Sequence, residues 1–181
     1  ATNVGAITTT DREGATNNAY YFNGNNEHMF VEHDNSLIPV DQFSLNAWIY
    51  PESSTNNYLI YKHQYTGGHY YGYACRLFNG NIGFVFGDTA HQIYSNSQIV
   101  LNQWHMITVT FNSGNYKLYI NNQLDKSGTS TWNFNTSDTL FIGVHKQRIH
   151  SFHGKLDEIR LYNIELTDQE VEFLYYGNIH C

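Results

Sequence analysis

The clearest structural signal in this chain is the stretch LNQWHMITVTF, which occupies residues 101–111. Within it, Ile107 and Val109 alternate with residues of the opposite face such as Thr108. Successive side chains of a β-strand point to opposite faces of a sheet, so this alternation indicates a strand with one face on a core. We therefore predict a central strand that begins with a buried Trp104.

The residues after this strand predict two tight turns. The segment NSGN at residues 112–115 forms a four-residue hairpin loop before the next strand, YKLYI at 116–120. Asn121-Asn122 then forms a second turn. Gly and Asn accept the positive φ angles that hairpin turns require, so three consecutive antiparallel strands are expected here.

The same alternation recurs along most of the chain. SLNAWIY at residues 44–50 places Leu45 and Ile49 on one face and Trp48 on the other, and we expect Trp48 to be buried on a central strand. Further strands are predicted at 19–23, 28–32, 58–62, 70–78, 82–86, 91–95, 138–143 and 154–162. Many short strands joined by Asn and Gly turns favour a β-sandwich or a barrel.

One short helix is predicted near the C-terminus. TDQE at residues 167–170 is a capping box, in which the Thr167 hydroxyl accepts the Glu170 amide and the Glu170 carboxylate reaches back. Val171 then begins a helical pattern, and Gly177 is placed to end it. The chain shows no internal repeat and no linker composition, so residues 1–181 are predicted to form a single domain.

Composition excludes several classes of function. Nine Lys and Arg against 16 Asp and Glu give a net charge of −7, which argues against nucleic acid as a partner. No apolar run approaches 18 residues, so no membrane insertion is expected. Few charges and 16% aromatic residues favour an extracellular protein, secreted or at the cell surface. Cys75 and Cys181 allow either one disulfide or two free thiols.

The ordered set of segments resembles the laminin-G-like, concanavalin A-like jelly-roll domains, in the subgroup related to pentraxins. The matching segments are 10–24, 43–51, 101–111, 116–120, 154–163 and 166–171. The resemblance implies an all-β, two-sheet antiparallel jelly-roll sandwich with one short C-terminal helix. It also implies ligand sites on the concave face or the rim loops. It does not select one activity, because the fold hosts lectins, adhesion modules and glycanases.

An acidic pair for glycan hydrolysis is incomplete in this sequence. Glucanases of this fold carry two carboxylates on one strand in the patterns Glu-x-Asp-x-x-Glu or Glu-x-Asp-x-Glu. The nearest match is Glu32-His33-Asp34, where the third acidic position holds Ser36 or Leu37. A carboxylate without its partner cannot supply both the acid and the nucleophile, so we predict that the protein is not an enzyme.

An aromatic loop at residues 63–71, HQYTGGHYY, is the first candidate carbohydrate site. Sugars present apolar C–H patches between hydroxyls, so they are bound by flat amphipathic rings with polar neighbours. The predicted sugar-binding residues of this group are Tyr65, His69, Tyr70, His91 and Trp132.

A second candidate region is the loop VHKQRIHSFH at residues 144–153. Lys146 and Arg148 are cations in an otherwise acidic protein, so this loop suits an acidic sugar or a sulfate group. Its imidazoles would titrate near neutral pH if they are exposed. Three histidines at intervals of five and three leave Zn²⁺ or Cu²⁺ binding as an alternative. The predicted sugar-binding residues here are His145, Lys146, Arg148 and His150. We expect the loops 63–71 and 145–153 to border the same glycan site.

Calcium is implied by the resemblance alone. Similar domains often hold a structural Ca²⁺ between the N-terminal segment and the last long strand, which makes Asp157, Asp11 and Asn23 the candidate ligands. Asn23 stands where an Asp is common, which lowers the negative charge available to a hard cation. The alternative is that Asp157 caps backbone amides or pairs with Arg12.

These features predict a non-catalytic, lectin-like module that binds a glycan or polysaccharide for adhesion or attachment. The alternative is a protein-binding adhesion domain, and a glycanase of the same fold is the less favoured third hypothesis. In either leading case, we expect the domain to belong to a larger extracellular protein or an oligomer.

Overall fold

The computed structural model describes residues 1–87 and 92–177, which form two antiparallel sheets of seven strands. Sheet A has the order β1 (Thr2–Val4), β4 (His28–Val31), β13 (Leu140–Ile142), β6 (Asn57–Thr66), β7 (His69–Phe78), β8 (Asn81–Phe86), β9 (Ile93–Gln98). Sheet B has the order β12 (Gln123–Thr129), β11 (Asn115–Ile120), β10 (His105–Asn112), β5 (Gln42–Pro51), β14 (His153–Tyr162), β3 (Ala19–Asn23), β2 (Ile7–Thr9). This arrangement confirms the predicted all-β jelly-roll sandwich.

The core lies between the sheets and follows the predicted alternation. On β5, Leu45 and Ile49 point inward, and on β10, Ile107 and Val109 do the same. The largest enclosed side chains are aromatic, and Phe86 contacts several neighbouring rings within this core. Burial of these apolar surfaces is the main source of stability for such a sandwich.

The outer face of sheet B carries a second, smaller core. Trp48 and Met106 are paired across β5 and β10 and are covered by helix α1 (Asp168–Tyr176). The indole of Trp48 stacks on Tyr175 at 5.5 Å between ring centroids, and the Arg12 guanidinium lies 4.5 Å from the same indole. The prediction for Trp104 is wrong in part, because this residue precedes β10, is only half-buried and packs beside the small core.

Of the two predicted turns of sheet B, the first is tighter than the sequence predicts and the second is as predicted. Asn112 and Asn115 are paired as strand ends, so only Ser113 and Gly114 form the turn, with φ angles of 46° and 92°. The four-residue loop predicted at 112–115 is therefore a two-residue turn. The predicted second turn, Asn121-Asn122, has positive φ at both residues, as a two-residue hairpin requires.

Helix α1 begins at the predicted capping box. Glu170 donates its backbone N–H to the Thr167 hydroxyl, and the Glu170 carboxylate accepts from the Thr167 N–H at 2.7 Å. Asp168 in the first turn accepts hydrogen bonds from Lys117 and Tyr119 of β11. These contacts attach the helix to sheet B. Among the described residues, no helix is long and apolar enough to span a bilayer.

An irregular segment, residues 130–139, connects the edge of sheet B to sheet A. Its Phe134 is buried in the main core, and Asn133 accepts the Gly72 N–H through its carbonyl at 2.7 Å. Gly72 has a φ of +93°, and a Cβ there would lie 2.0 Å from the Lys62 carbonyl. The same Cβ would lie 2.8 Å from the methyl group of Thr136, so glycine also allows the segment to approach β7 this closely.

Two predicted strands differ in extent from the observed ones, and the structure describes one of the two cysteines. The strand predicted at 138–143 is shortened to Leu140–Ile142. The strand predicted at 91–95 corresponds to Ile93–Gln98, and its first predicted residue, 91, lies outside the described residues. Cys75 is buried in the core, and burial raises the pKa of its thiol to about 12. Cys181 lies outside the described residues.

Trp48 and Trp104 provide a test of the fold. We expect Trp48→Ala to lower the free energy of unfolding by about 3–5 kcal/mol, because the indole is enclosed between Arg12 and Tyr175. Trp104→Ala should cost clearly less, since Trp104 is half-buried. Urea denaturation followed by circular dichroism measures both. Equal losses would contradict the assignment of Trp48 to the enclosed position.

Candidate functional site

A cleft of about 340 Å³ lies between the tip of the β6–β7 hairpin and the segment 131–133. Four of the residues predicted to bind sugar line it together. The lining residues are Tyr65, Gly68, His69, Tyr70, Phe86, Thr131, Trp132 and Asn133. His91, the fifth residue of that predicted group, lies outside the described residues.

The hairpin holds its tyrosines on one face. Gly67 and Gly68 form a two-residue turn with φ angles of 59° and 83°, which fixes the register of the two strands. Tyr65 is therefore directly paired with Tyr70, and their ring centroids are 4.6 Å apart. Tyr70 also stacks on His63 at 5.3 Å, whereas Tyr65 is 61% exposed.

Trp132 forms the opposite wall of the cleft and is held on three sides. Its indole N–H donates to the Val40 carbonyl at 3.4 Å, and its ring contacts Phe111 edge-on at 5.2 Å. A Cβ at Gly114 would lie 3.1 Å from the indole, so glycine leaves the space that this ring occupies. The indole nevertheless stays 37% exposed, which makes it a fixed, accessible surface.

The chemistry of this cleft suits an uncharged, hydroxyl-rich ligand. Its described lining contains no Lys, Arg, Asp or Glu, and His69 is its one imidazole. Exposed aromatic rings can pack on the C–H faces of a sugar. Amide and hydroxyl groups of Asn133 and Thr131 provide donors and acceptors at the cleft.

The histidine-containing loop lies elsewhere on sheet A. His145 packs on Tyr61 at 4.3 Å, and His150 is 6.3 Å from Tyr58, at the opposite end of β6 from the cleft. Tyr58 and Tyr65 are seven residues apart, which corresponds to about 20 Å along a strand. The structure therefore separates the two loops that were expected to border one site.

The two predicted cations of this loop are already engaged. Lys146 pairs with Asp138 at 2.6 Å. Arg148 contacts the His28 imidazole and lies 5.0 Å over the Phe141 ring. Neither cation lines the cleft.

The three histidines of the loop do not meet. His145 and His150 have ring centroids 6.5 Å apart, but His153 is on β14, where it contacts Glu52 at 3.1 Å and Tyr21 at 3.2 Å. Across residues 1–87 and 92–177, no group of three His, Cys, Asp or Glu side chains could hold a metal ion. The geometry gives no support to the transition-metal alternative.

The candidate calcium ligands have other partners. Asp11 accepts hydrogen bonds from the backbone of Glu13 and Ala15 and from the Asn18 amide. The side chain of Asn23 accepts the backbone N–H of residue 25, so it caps its own turn.

Asp157, the third candidate, also makes local contacts. It accepts the Glu158 N–H at 2.7 Å and lies 3.8 Å from the Arg12 guanidinium. Burial raises the pKa of the Asp157 carboxyl. Because Arg12 supplies the positive charge beside this carboxylate, the residues as arranged do not fit a Ca²⁺ ion.

The carboxylates of the partial hydrolase pattern are also occupied locally. Glu32 accepts from the Thr139 hydroxyl at 3.3 Å. Asp34 caps a short 3₁₀ helix, Asn35–Leu37, by accepting the Ser36 N–H, and these Ser36 hydrogen bonds lower the pKa of the Asp34 carboxyl.

Sequence reasoning missed the cleft residues Phe86, Thr131 and Asn133, which lie outside the predicted loops. Two further rings, His63 at the start of the predicted loop and Tyr61 just before it, do not line the cleft. Both lie on the outer face of β6, two and four residues before Tyr65. The period of two would have placed all three rings on one face. What it could not show is that Tyr61 and His63 are buried whereas Tyr65 is exposed.

His145 generates a pH prediction that differs from the sequence expectation of titration near neutrality. Burial, and then the neighbouring His150 and Lys146, lower its pKa to about 4. The unfolded chain, with an ordinary imidazole pKa of about 6.5, binds this proton first, so stability should fall as pH drops from about 6.5 to 4. Melting curves should therefore show a steeper acid loss for the wild type than for His145→Gln. Parallel curves would contradict the burial of this imidazole.

Comparisons with known proteins bear on the fold and the family. A search of curated proteins finds no match. Domain 4 of AbnA, a GH43 extracellular arabinanase from Geobacillus stearothermophilus, solved with arabinotriose, superposes with a TM-score of 0.74 and 20% identity. That match covers 95% of this chain and 82% of the AbnA domain.

Two toxin binding domains have a similar fold. The binding domain of Paraclostridial Mosquitocidal Protein 1 has a TM-score of 0.76 and 20% identity over 98% of this chain. The botulinum neurotoxin serotype D ligand binding domain, solved with N-acetylneuraminic acid, has a TM-score of 0.73 and 19% identity over 97%. The chain spans only 47% and 45% of those two domains.

The sequence itself carries the family assignment. A model of the Laminin_G_3 family matches residues 14–172, which is most of the chain. The chain belongs to this laminin-G-type family of the concanavalin A-like lectin/glucanases superfamily.

Proposed function

We propose that this protein is a non-catalytic carbohydrate-binding module whose sugar site is the cleft between the β6–β7 hairpin and Trp132. The observation that carries the proposal is the convergence of exposed rings from two distant segments. Tyr65 and Tyr70 face the cleft from the hairpin, and Trp132 faces it from the segment that connects the sheets. Such a pairing of rings with amides is the common design of sugar sites.

The relatives support a carbohydrate ligand without specifying it. Domain 4 of AbnA was solved with arabinotriose, and the serotype D neurotoxin domain with N-acetylneuraminic acid. At about 20% identity these likenesses carry the fold alone, so the site residues are proposed from the geometry of this chain.

The proposal extends to context. We propose an extracellular module of a larger protein, because AbnA and the toxins use this fold as one domain of an extracellular enzyme or a binding region. The absence of catalysis is proposed because Glu32 and Asp34 are engaged in local contacts rather than paired across the cleft.

Tyr65 provides the direct test of the cleft. We expect Tyr65→Ala to weaken binding of a neutral oligosaccharide about fivefold to tenfold, because one ring stacking face is lost. Tyr65 is 61% exposed, so the melting temperature should stay unchanged. Tyr176→Ala is the matched control, since Tyr176 is a 46% exposed tyrosine on α1, on the other sheet. Isothermal titration against a glycan panel measures the affinities.

Three outcomes would replace the proposal in whole or in part. If no glycan binds and a protein partner does, the adhesion-domain alternative replaces the proposal. If an acidic glycan binds with an affinity that falls with salt and with Arg148→Ala, the site lies at the histidine-containing loop instead. Turnover of a polysaccharide that is lost in Glu32→Gln would favour the glycanase hypothesis.

Calcium is tested by melting in chelator and in millimolar Ca²⁺. We expect equal melting temperatures, because Arg12 provides the positive charge beside Asp157 and Glu158. Arg12→Gln should lower the melting temperature, since it removes the cation beside Asp157, leaves Glu158 with Arg160 alone and uncovers Trp48. A rise with Ca²⁺ that is lost in Asp157→Asn would instead support the calcium prediction from the family resemblance.

A further inference from the structure

We propose that the sugar site continues across Trp132 into a second cleft, so that the protein recognises a neutral chain of at least two linked sugar units. This inference rests on the proposed function and extends it. Its starting point is that Trp132 belongs to two clefts at once, together with its neighbour Asn133.

The second cleft has a volume of about 290 Å³ and lies beside the segment that leads into β5. Its lining residues are Ile38, Pro39, Val40, Trp132, Asn133, Phe134 and Asn135. Each cleft is near the lower limit of volumes that hold a small ligand, about 300 Å³. One cleft therefore accommodates a short piece of a glycan, and the two together accommodate a longer one.

Trp132 is built to serve as the shared wall. Its indole N–H is fixed by the Val40 carbonyl, and its ring is held against Phe111 and the space left by Gly114. A ring fixed before binding loses little conformational entropy when a sugar packs on it. The hydrogen bond to Val40 also ties the two sides of the second cleft to each other.

The lining selects a neutral ligand. No Lys, Arg, Asp or Glu lines either cleft among the described residues, although the whole chain has a net charge of −7. Lys62 and Lys146, the cations that contact the connecting segment, both bind Asp138, Lys62 through the carbonyl and Lys146 through the carboxylate. A uronate or sulfate would find no Lys or Arg among the described lining residues, whereas hydroxyls can bond with Asn133 and Asn135.

The apolar rim of the second cleft fits the C–H face of a sugar unit. Val40 is 85% exposed and stands next to the buried Pro39 and the exposed Trp132. Contact with a pyranose or furanose ring would remove this apolar surface from water. A charged side chain at Val40 would oppose that contact.

The test is a length series of neutral oligosaccharides, from one to six units, prepared from arabinan, xylan and mixed-linkage β-glucan. Titration of the wild type should show affinity rising at least tenfold from one unit to three. It should also show no dependence on salt, because a neutral ligand has no screened Coulomb attraction. Protein from a bacterial host avoids glycosylation of the acceptor sequence Asn135-Thr136-Ser137.

Val40→Asp isolates the second cleft. We expect it to remove the gain from the longer chains while leaving the affinity for single units unchanged, whereas Tyr65→Ala weakens all lengths. Val100→Asp is the matched control, because Val100 is 52% exposed beyond the opposite end of β5, near Pro51. Val40→Ser repeats the test without a new charge, and circular dichroism verifies the fold of each variant.

The outcomes separate this inference from the proposed function. Affinity that is independent of chain length, or unchanged by Val40→Asp, with Tyr65→Ala still weakening binding, overturns the second cleft and leaves the module a single-site lectin. No binding of any neutral oligosaccharide overturns both. Binding of acidic chains alone, with strong salt dependence, also overturns the inference.

Discussion

The burial of β5 on both faces is the constraint on which the rest of the structure depends. Leu45 and Ile49 face the main core between the sheets, and Trp48 faces outward into a second core. A strand with two apolar faces requires two covers. Sheet A supplies one, and helix α1 with Arg12 supplies the other. The capping box and the contacts of Asp168 to β11 are thus part of the same requirement, because they hold the outer cover in place.

Backbone hydrogen bonds that start at the residues before β5 hold the candidate site in place. The Ser113 N–H donates to the Asp41 carbonyl at 2.8 Å, which ties the β10–β11 turn to the residues that lead into β5. The adjacent Gly114 accepts the Ser130 N–H and leaves room for Trp132. Past Trp132, the connecting segment is fixed to sheet A by its bond from the Gly72 amide. The indole is therefore positioned by backbone contacts to both sheets, rather than by a mobile loop.

Local sequence patterns predicted the strands and the helix whose formation depends on interactions between neighbouring residues. Alternation identified β5 and β10, and the capping box identified α1, because these signals depend on neighbours within a few residues. The approach of Trp132 to Tyr65 joins residues 67 positions apart and has no local signature. Trp104 was misplaced for a related reason, since alternation does not show where a strand begins. Likewise, the low pKa of His145 depends on burial against Tyr61, which no spacing reveals.

The outer face of sheet A shows why rings alone do not define a binding site. Along β6, Tyr61 and His63 are as aromatic as Tyr65, and they connect by ring contacts to Tyr70 on one side and His145 on the other. Tyr61 is 6% exposed and His63 is 4% exposed, so these rings cover the sheet and are not available to a ligand. Tyr65 lies beyond that cover, where the hairpin leaves the body of the sheet. Accessibility therefore changes along a single strand face. Along this strand face, the accessible ring is Tyr65 at the hairpin end, where Trp132 stands opposite and the described lining carries no charged side chain.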